Sequence, residues 1–147
     1  MSGKGGDQDV SPGAARVAID YFTDILCIWA YAAEARLEEA RRHFGDRVSV
    51  RLRYCPVFTD TATRIGEGWR DRGGWDGFAA HVAEVAAGFD HIAVQERAWR
   101  TVRPASSIPA HLFLKAVQRV EDAHGAGLDG VTERLAAALR HAFFQEG

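Results

Sequence analysis

Hydrophobic and polar positions alternate with a period of two in two short stretches of this chain and with a period near 3.6 in several longer ones. From Arg16 to Phe22, Val17, Ile19 and Tyr21 interleave with Ala18, Asp20 and Phe22, which predicts a strand. Apolar residues on both of its faces predict that it is buried. From Val48 to Cys55, Val48, Val50, Leu52 and Tyr54 alternate with Ser49, Arg51 and Arg53, which predicts a half-buried strand nearer a sheet edge. Between them, Ala30, Ala33, Leu37, Ala40 and Phe44 recur at helical spacing among charges, so Trp29 to Phe44 is an amphipathic helix stopped at Gly45. A strand, a helix and a second strand form a βαβ unit, whose strands run parallel.

After Pro56 the alternation ends. The glycine-rich stretch from Asp60 to Gly77, with Trp69 and Trp75, reads as a long surface connection held by aromatic anchors, and Trp99 as a further anchor. Three helical stripes follow: Phe78, Val82, Val85 and Phe89; then Phe113, Val117 and Val120; then Val131, Leu135, Leu139 and Ala142. Ser106 or Ser107 can cap the second of these helices, with Pro109 in its first turn. Residues 1–14, rich in glycine and poor in large apolar side chains, read as a disordered leader. The expected organisation is therefore this leader, a βαβ part over 15–58, and a connection with a helical subdomain over 59–147.

Composition narrows the class. The chain has 147 residues, of which 47% are hydrophobic, and its net charge is 18 − 20 = −2. A chain of this length buries enough surface to fold without a metal or disulfide staple. Near-neutral, interspersed charge leaves no footprint for a phosphate backbone, so nucleic acid is not an expected partner. No apolar run approaches the ~20 residues of a membrane span, and the N-terminus lacks the apolar core of a signal peptide, so the sequence reads as cytoplasmic, with no membrane partner. The six histidines form no HExxH pair and no close Cys/His cluster, so no metal site is expected.

Two cysteines, Cys27 and Cys55, are too few for a disulfide scaffold. Cys27 is the more informative, because it closes the loop Thr23-Asp24-Ile25-Leu26 immediately before the first turn of the first helix. Backbone N–H groups at a helix start are unpaired and the dipole end is positive, so a thiolate is stabilised there. The alternative is a small buried side chain, the usual fate of a free cysteine. Asp24, as a negative neighbour, would oppose the helix effect. Cys55 reads as a packed strand residue rather than as a disulfide partner of Cys27.

The run Asp20-Tyr21-Phe22-Thr23-Asp24-Ile25-Leu26-Cys27-Ile28-Trp29-Ala30-Tyr31 resembles the start of the DsbA-like branch of the thioredoxin superfamily. There, a strand runs into Cys-Pro-Trp-Cys-Tyr at a helix N-terminus. Pro104-Ala105-Ser106-Ser107 followed by Ala110-His111 is similar to a segment in the helical insertion of FrnE-like proteins and 2-hydroxychromene-2-carboxylate isomerases. The end of the chain, Arg140 to Gly147, resembles a stretch late in that insertion. The resemblance implies an α/β fold, a thioredoxin-like βαβ unit with an all-helical insertion subdomain. It implies a catalytic Cys27, with Trp29 at the mouth of the site and Ser106 and Ser107 facing the thiol to hold a substrate such as glutathione. His111, on the same helix, is a further candidate beside a substrate, against a structural, hydrogen-bonded role.

The departures from that pattern limit the chemistry. Ala30 stands where the family carries its second cysteine, and Ile28 replaces the proline. An alanine cannot resolve a mixed disulfide, so an external thiol has to. Nothing after Phe89 reads as a strand, so the family's C-terminal strands and cis-proline loop are missing from the expected fold. Three functions follow from the resemblance: a thiol–disulfide oxidoreductase working through Cys27 on a small or protein thiol; a glutathione-dependent isomerase or transferase; or a binding module that kept the fold and lost the chemistry. Glutathione enters as a co-substrate, with no bound cofactor expected. Open sheet edges make a homodimer an expected assembly.

Overall fold

The computed structural model describes residues 16–125 and 130–147. The expected leader lies outside them. The chain is mixed α/β, with β1 (Val17–Thr23), α1 (Ile28–Phe44), β2 (Val48–Tyr54), α2 (Gly74–Ala87), α3 (Ile108–His124) and α4 (Val131–His141). The two strands pair in parallel, Val17 with Val48 through to Thr23 with Tyr54, so the βαβ unit forms as the alternation predicts. Among the described residues the sheet has these two strands, and an isolated bridge between Ala98 and Val102 is the other strand-like pairing.

The predicted burial holds for β2, which is half-buried, and fails for β1. β1 is largely exposed, with Val17, Ile19 and Phe22 at 56%, 37% and 69%, while Leu52 of β2 is buried. Both faces of β1 are apolar, but β2 occupies one edge alone and the core gathers on the β2 side, around Ile25, Leu52, Leu114 and Ala136.

The connection after Pro56 is folded rather than looped. A π-helical turn over Ala62–Glu67 and a 3-10 turn over Arg70–Arg72 lead directly into α2, and Ile65 is fully buried. Glycine is what allows the tight packing here: Gly73 enters α2 at φ 90°, and a Cβ on Gly77 would lie 1.8 Å from the Arg72 carbonyl oxygen. A backbone approach that close admits no larger residue.

Aromatic residues fill the main core. Trp99 is buried at φ 64°, a left-handed conformation costly for a bulky side chain, and it packs on Phe58, Trp75, Phe78 and Phe143. This core joins Leu26, Ile28 and Tyr31 to α2 and to Phe143 and Phe144, so it runs across position 58.

Helix α3 turns a different face inward from the one its apolar residues predict. Phe113 and Val120 are exposed, and the buried positions are His111, Leu114 and Gln118. The two polar ones are buried because the backbone needs them. The Ile25 N–H donates to His111 Nε2 at 3.1 Å, and Gln118 Nε2 donates to the Leu52 carbonyl at 3.2 Å. In α4 the buried line is Thr132, Ala136 and Arg140, with Leu135 and Leu139 beside it and Ala142 exposed.

Candidate functional site

Cys27 is the N-cap residue of α1. Its backbone is extended at φ −87° and ψ 119°, and its carbonyl accepts the first helical hydrogen bond, from the Tyr31 N–H at 3.0 Å. Its own N–H returns to the Asp24 carbonyl at 3.3 Å, which closes the turn Asp24 to Cys27. The first turn of α1 carries no acidic side chain, and Cys27 makes no capping hydrogen bond. The positive end of the helix is therefore left to the sulfur and to whatever binds beside it.

The loop that presents Cys27 is fixed by one buried carboxylate. Asp24 Oδ1 accepts from the Leu26 N–H at 2.8 Å, and Oδ2 accepts from the Val57 N–H at 2.7 Å, the Phe58 N–H at 3.2 Å and Ser107 Oγ at 2.8 Å. Four donors satisfy a carboxylate that is 2% exposed, which is the condition for burying it. Sequence proximity suggests that Asp24 opposes a thiolate at Cys27; the geometry shows a carboxylate occupied in holding two loops together.

His111 and Arg140 complete this support. Because His111 Nε2 accepts the Ile25 N–H, the ring proton resides on Nδ1, which is buried without a partner. Burial is the largest influence on His111 and lowers its pKa; Arg140 acts in the same direction and Asp24, 3.6 Å away, opposes them. The ring is therefore neutral, an acceptor for the loop rather than a substrate ligand. Arg140 is buried, donates to Thr23 Oγ1 at 2.5 Å and pairs with Glu34. It ties α4 to the end of β1 and to α1.

Cys27 is partly exposed and borders two cavities. The larger, of about 510 Å³, is lined by Cys27, Trp29, Phe58, Arg64, Trp69, Arg72, Phe78 and His81 among others. Arg72 stacks over the Trp69 ring at 3.8 Å and Arg64 lies 5.4 Å from the Phe58 centroid. Neither forms an ion pair within the described residues, so the cleft is aromatic-walled and cationic at its rim. The smaller cavity, of about 270 Å³, lies between Tyr21, Phe22, Ala30, Cys27, Trp29 and Cys55. Burial raises the Tyr21 phenol above its ordinary pKa of 10.0.

Trp29 stands between the two cavities, 58% exposed and edge-on to Phe89 at 6.2 Å. Ser106 and Ser107 line neither. Ser106 Oγ accepts from the Ile108 N–H at 3.1 Å, a local turn at the start of α3, while Ser107 is fully buried and spends its hydroxyl on Asp24. Cys55 is exposed rather than packed, because it lies one residue beyond β2, ahead of Pro56, where the ladder ends. Both cysteines are free thiols.

No protein-family model matches the chain, and no curated protein matches it. The functional reading therefore rests on the residues themselves.

Sequence reasoning did not find Arg64, Trp69 and Arg72 as cleft residues, because a glycine-rich stretch reads as a loop, nor His81, which lies in α2 beside the expected stripe. Arg64 and Arg72 belong to two separate short turns, Ala62–Glu67 and Arg70–Arg72, so no single helical spacing marks them as neighbours in the sequence. Among the described residues, no helix is long and apolar enough to cross a membrane, and no cluster of His, Cys, Asp and Glu could hold a metal ion.

Proposed function

We propose that the protein is a thiol–disulfide oxidoreductase whose attacking group is Cys27, built on the βαβ start of a thioredoxin-like fold of the DsbA type. The observation that carries this reading is the position of Cys27: a partly exposed thiol at an uncompensated helix N-terminus, opening into a cleft with two arginines at its rim. The Cys27 thiol loses its proton to solvent, and the thiolate attacks one sulfur of a disulfide R–S–S–R′. A Cys27–S–S–R bond forms, the old S–S bond breaks, and R′S⁻ leaves and takes up a proton. Trp29, Trp69 and Phe78 supply apolar contact, and Arg64 and Arg72 favour carboxylate-bearing thiols, of which glutathione is the accessible probe.

Treating the reduced protein with glutathione disulfide and mapping the products by mass spectrometry tests this. The expected result is disulfide formation at Cys27, abolished by Cys27→Ser. A Cys27 thiol that remains free in excess glutathione disulfide overturns the reading.

The width of the cleft favours a second reading, a glutathione-dependent isomerase or transferase, because about 510 Å³ has room for an apolar substrate beside the thiol. That reading expects reduced glutathione to raise the melting temperature through binding to the folded state, in a Cys27→Ser variant as well as in the native chain.

A further inference from the structure

We infer that Cys55 is the resolving thiol of this site, so that exchange at Cys27 ends in a Cys27–Cys55 disulfide within one molecule; this rests on the exchange reading above. Three observations support it. Both cysteines line the same cavity of about 270 Å³, where Ala30 offers a methyl group and Cys55 a sulfur. Cys55 is exposed, and so its thiol is open to a disulfide on its neighbour.

Third, the backbone brings the two residues close. The Cys55 N–H donates to the Thr23 carbonyl at 2.9 Å, which carries the β1–β2 ladder one step further and sets Cys55 beside Asp24. Cys27 closes a turn on that same Asp24. With neighbouring strands about 4.8 Å apart and turn ends within about 7 Å, the two Cα atoms are at most about 12 Å apart. A disulfide needs a Cα separation of roughly 4.4–6.8 Å, so whatever separation the two residues keep beyond that has to be closed when the bond forms. The exposed stretch Cys55 to Val57 is the segment free to close that distance, and the bonds that restrain it are the Cys55 N–H to the Thr23 carbonyl and the Val57 and Phe58 N–H groups to Asp24 Oδ2. One carboxylate thus holds both cysteine loops at the reduced-state spacing.

The chemistry balances. After Cys27 forms its mixed disulfide with RS, the Cys55 thiol gives up its proton, and the thiolate attacks Cys27 Sγ. The Cys27–SR bond breaks, the Cys27–Cys55 bond forms and RS⁻ leaves. Overall R–S–S–R′ is reduced to two thiols and the two cysteines are oxidised. Two molecules of external thiol return the protein to its dithiol state and become a disulfide.

The test compares the full native chain with Cys55→Ser, both reduced, folded as judged by circular dichroism, and treated with glutathione disulfide. Intact mass then distinguishes the products. The inference expects the native chain to lose two hydrogens and to hold at least about tenfold less glutathione adduct than Cys55→Ser, because an intramolecular thiol acts at high effective concentration. Equal adduct on Cys27 in both proteins overturns the inference and leaves the exchange reading intact. A Cys27–Cys55 bond found between two chains on a non-reducing gel also overturns it. Failure of Cys27 to take up glutathione in Cys55→Ser overturns both.

Discussion

Ser107 Oγ donates a 2.8 Å hydrogen bond to Asp24 Oδ2 across 83 positions of sequence, with both side chains out of solvent. This contact joins the start of α3 to the loop that presents Cys27, so the helical half of the chain helps to set the geometry of the thiol.

Replacing Ser107 with Ala removes one of the four donors that satisfy the buried carboxylate of Asp24. The expected loss is about 1.5–3 kcal/mol, the range for hydrogen bonds to charged groups, read as a lower urea midpoint at unchanged slope. Because Asp24 keeps its three backbone donors, Cys27 retains its reactivity in the folded variant. A variant as stable as the native chain contradicts the role given to this contact.

The neutrality of His111 makes stability depend on pH. Its folded pKa lies below the ordinary 6.5, so the unfolded chain takes up a proton first as the pH falls. The stability from this group is complete above about 6.5 and is lost as the pH drops through 6.5 towards the folded value. Glu133 has the opposite sign, because burial raises its carboxyl above 4.5 and the folded state is the first to be protonated. Thermal melts of the native chain and His111→Gln between pH 7 and about 5 separate the two. The native melting temperature falls over this window, and that of the variant, lower throughout, changes less; identical slopes contradict the assignment.

Charge at the cleft rim is expected to select substrates. Reversing Arg64 and Arg72 to Glu slows exchange with glutathione disulfide about tenfold at low salt, with a smaller effect at high salt, and leaves exchange with a neutral disulfide nearly unchanged. Equal slowing of both disulfides indicates a damaged fold instead of a lost charge preference.

The alternation of residues 16–22 and 48–55 and the stripe between them located the βαβ unit to within a residue at each end. A short period repeated without interruption specifies an element because no distant partner is needed to form it. The buried face of α3 was not legible in this way. A structural, hydrogen-bonded role for His111 is legible, but its partner is not, and Gln118 looks like a surface residue until the Leu52 carbonyl, 66 positions away, is seen to need it. Cys27 was legible as a candidate because its chemistry depends on a local feature, the helix start. Asp24 was noticed only as its neighbour, since its donors come from Leu26, Val57, Phe58 and Ser107, three segments that meet only in the fold. The exposed apolar residues of β1 misled for a related reason: apolarity records that a face needs cover, and Val17, Ile19 and Phe22 remain uncovered here.

The most direct test of the central claim is the rate at which Cys27 is alkylated by iodoacetamide at pH 6, measured by peptide mapping in the Cys55→Ser variant with free glutathione in the same tube as the reference thiol. A thiolate held at an uncompensated helix N-terminus reacts several-fold faster than glutathione at this pH, and unfolding in denaturant abolishes the advantage. A folded Cys27 that reacts no faster than glutathione contradicts the account.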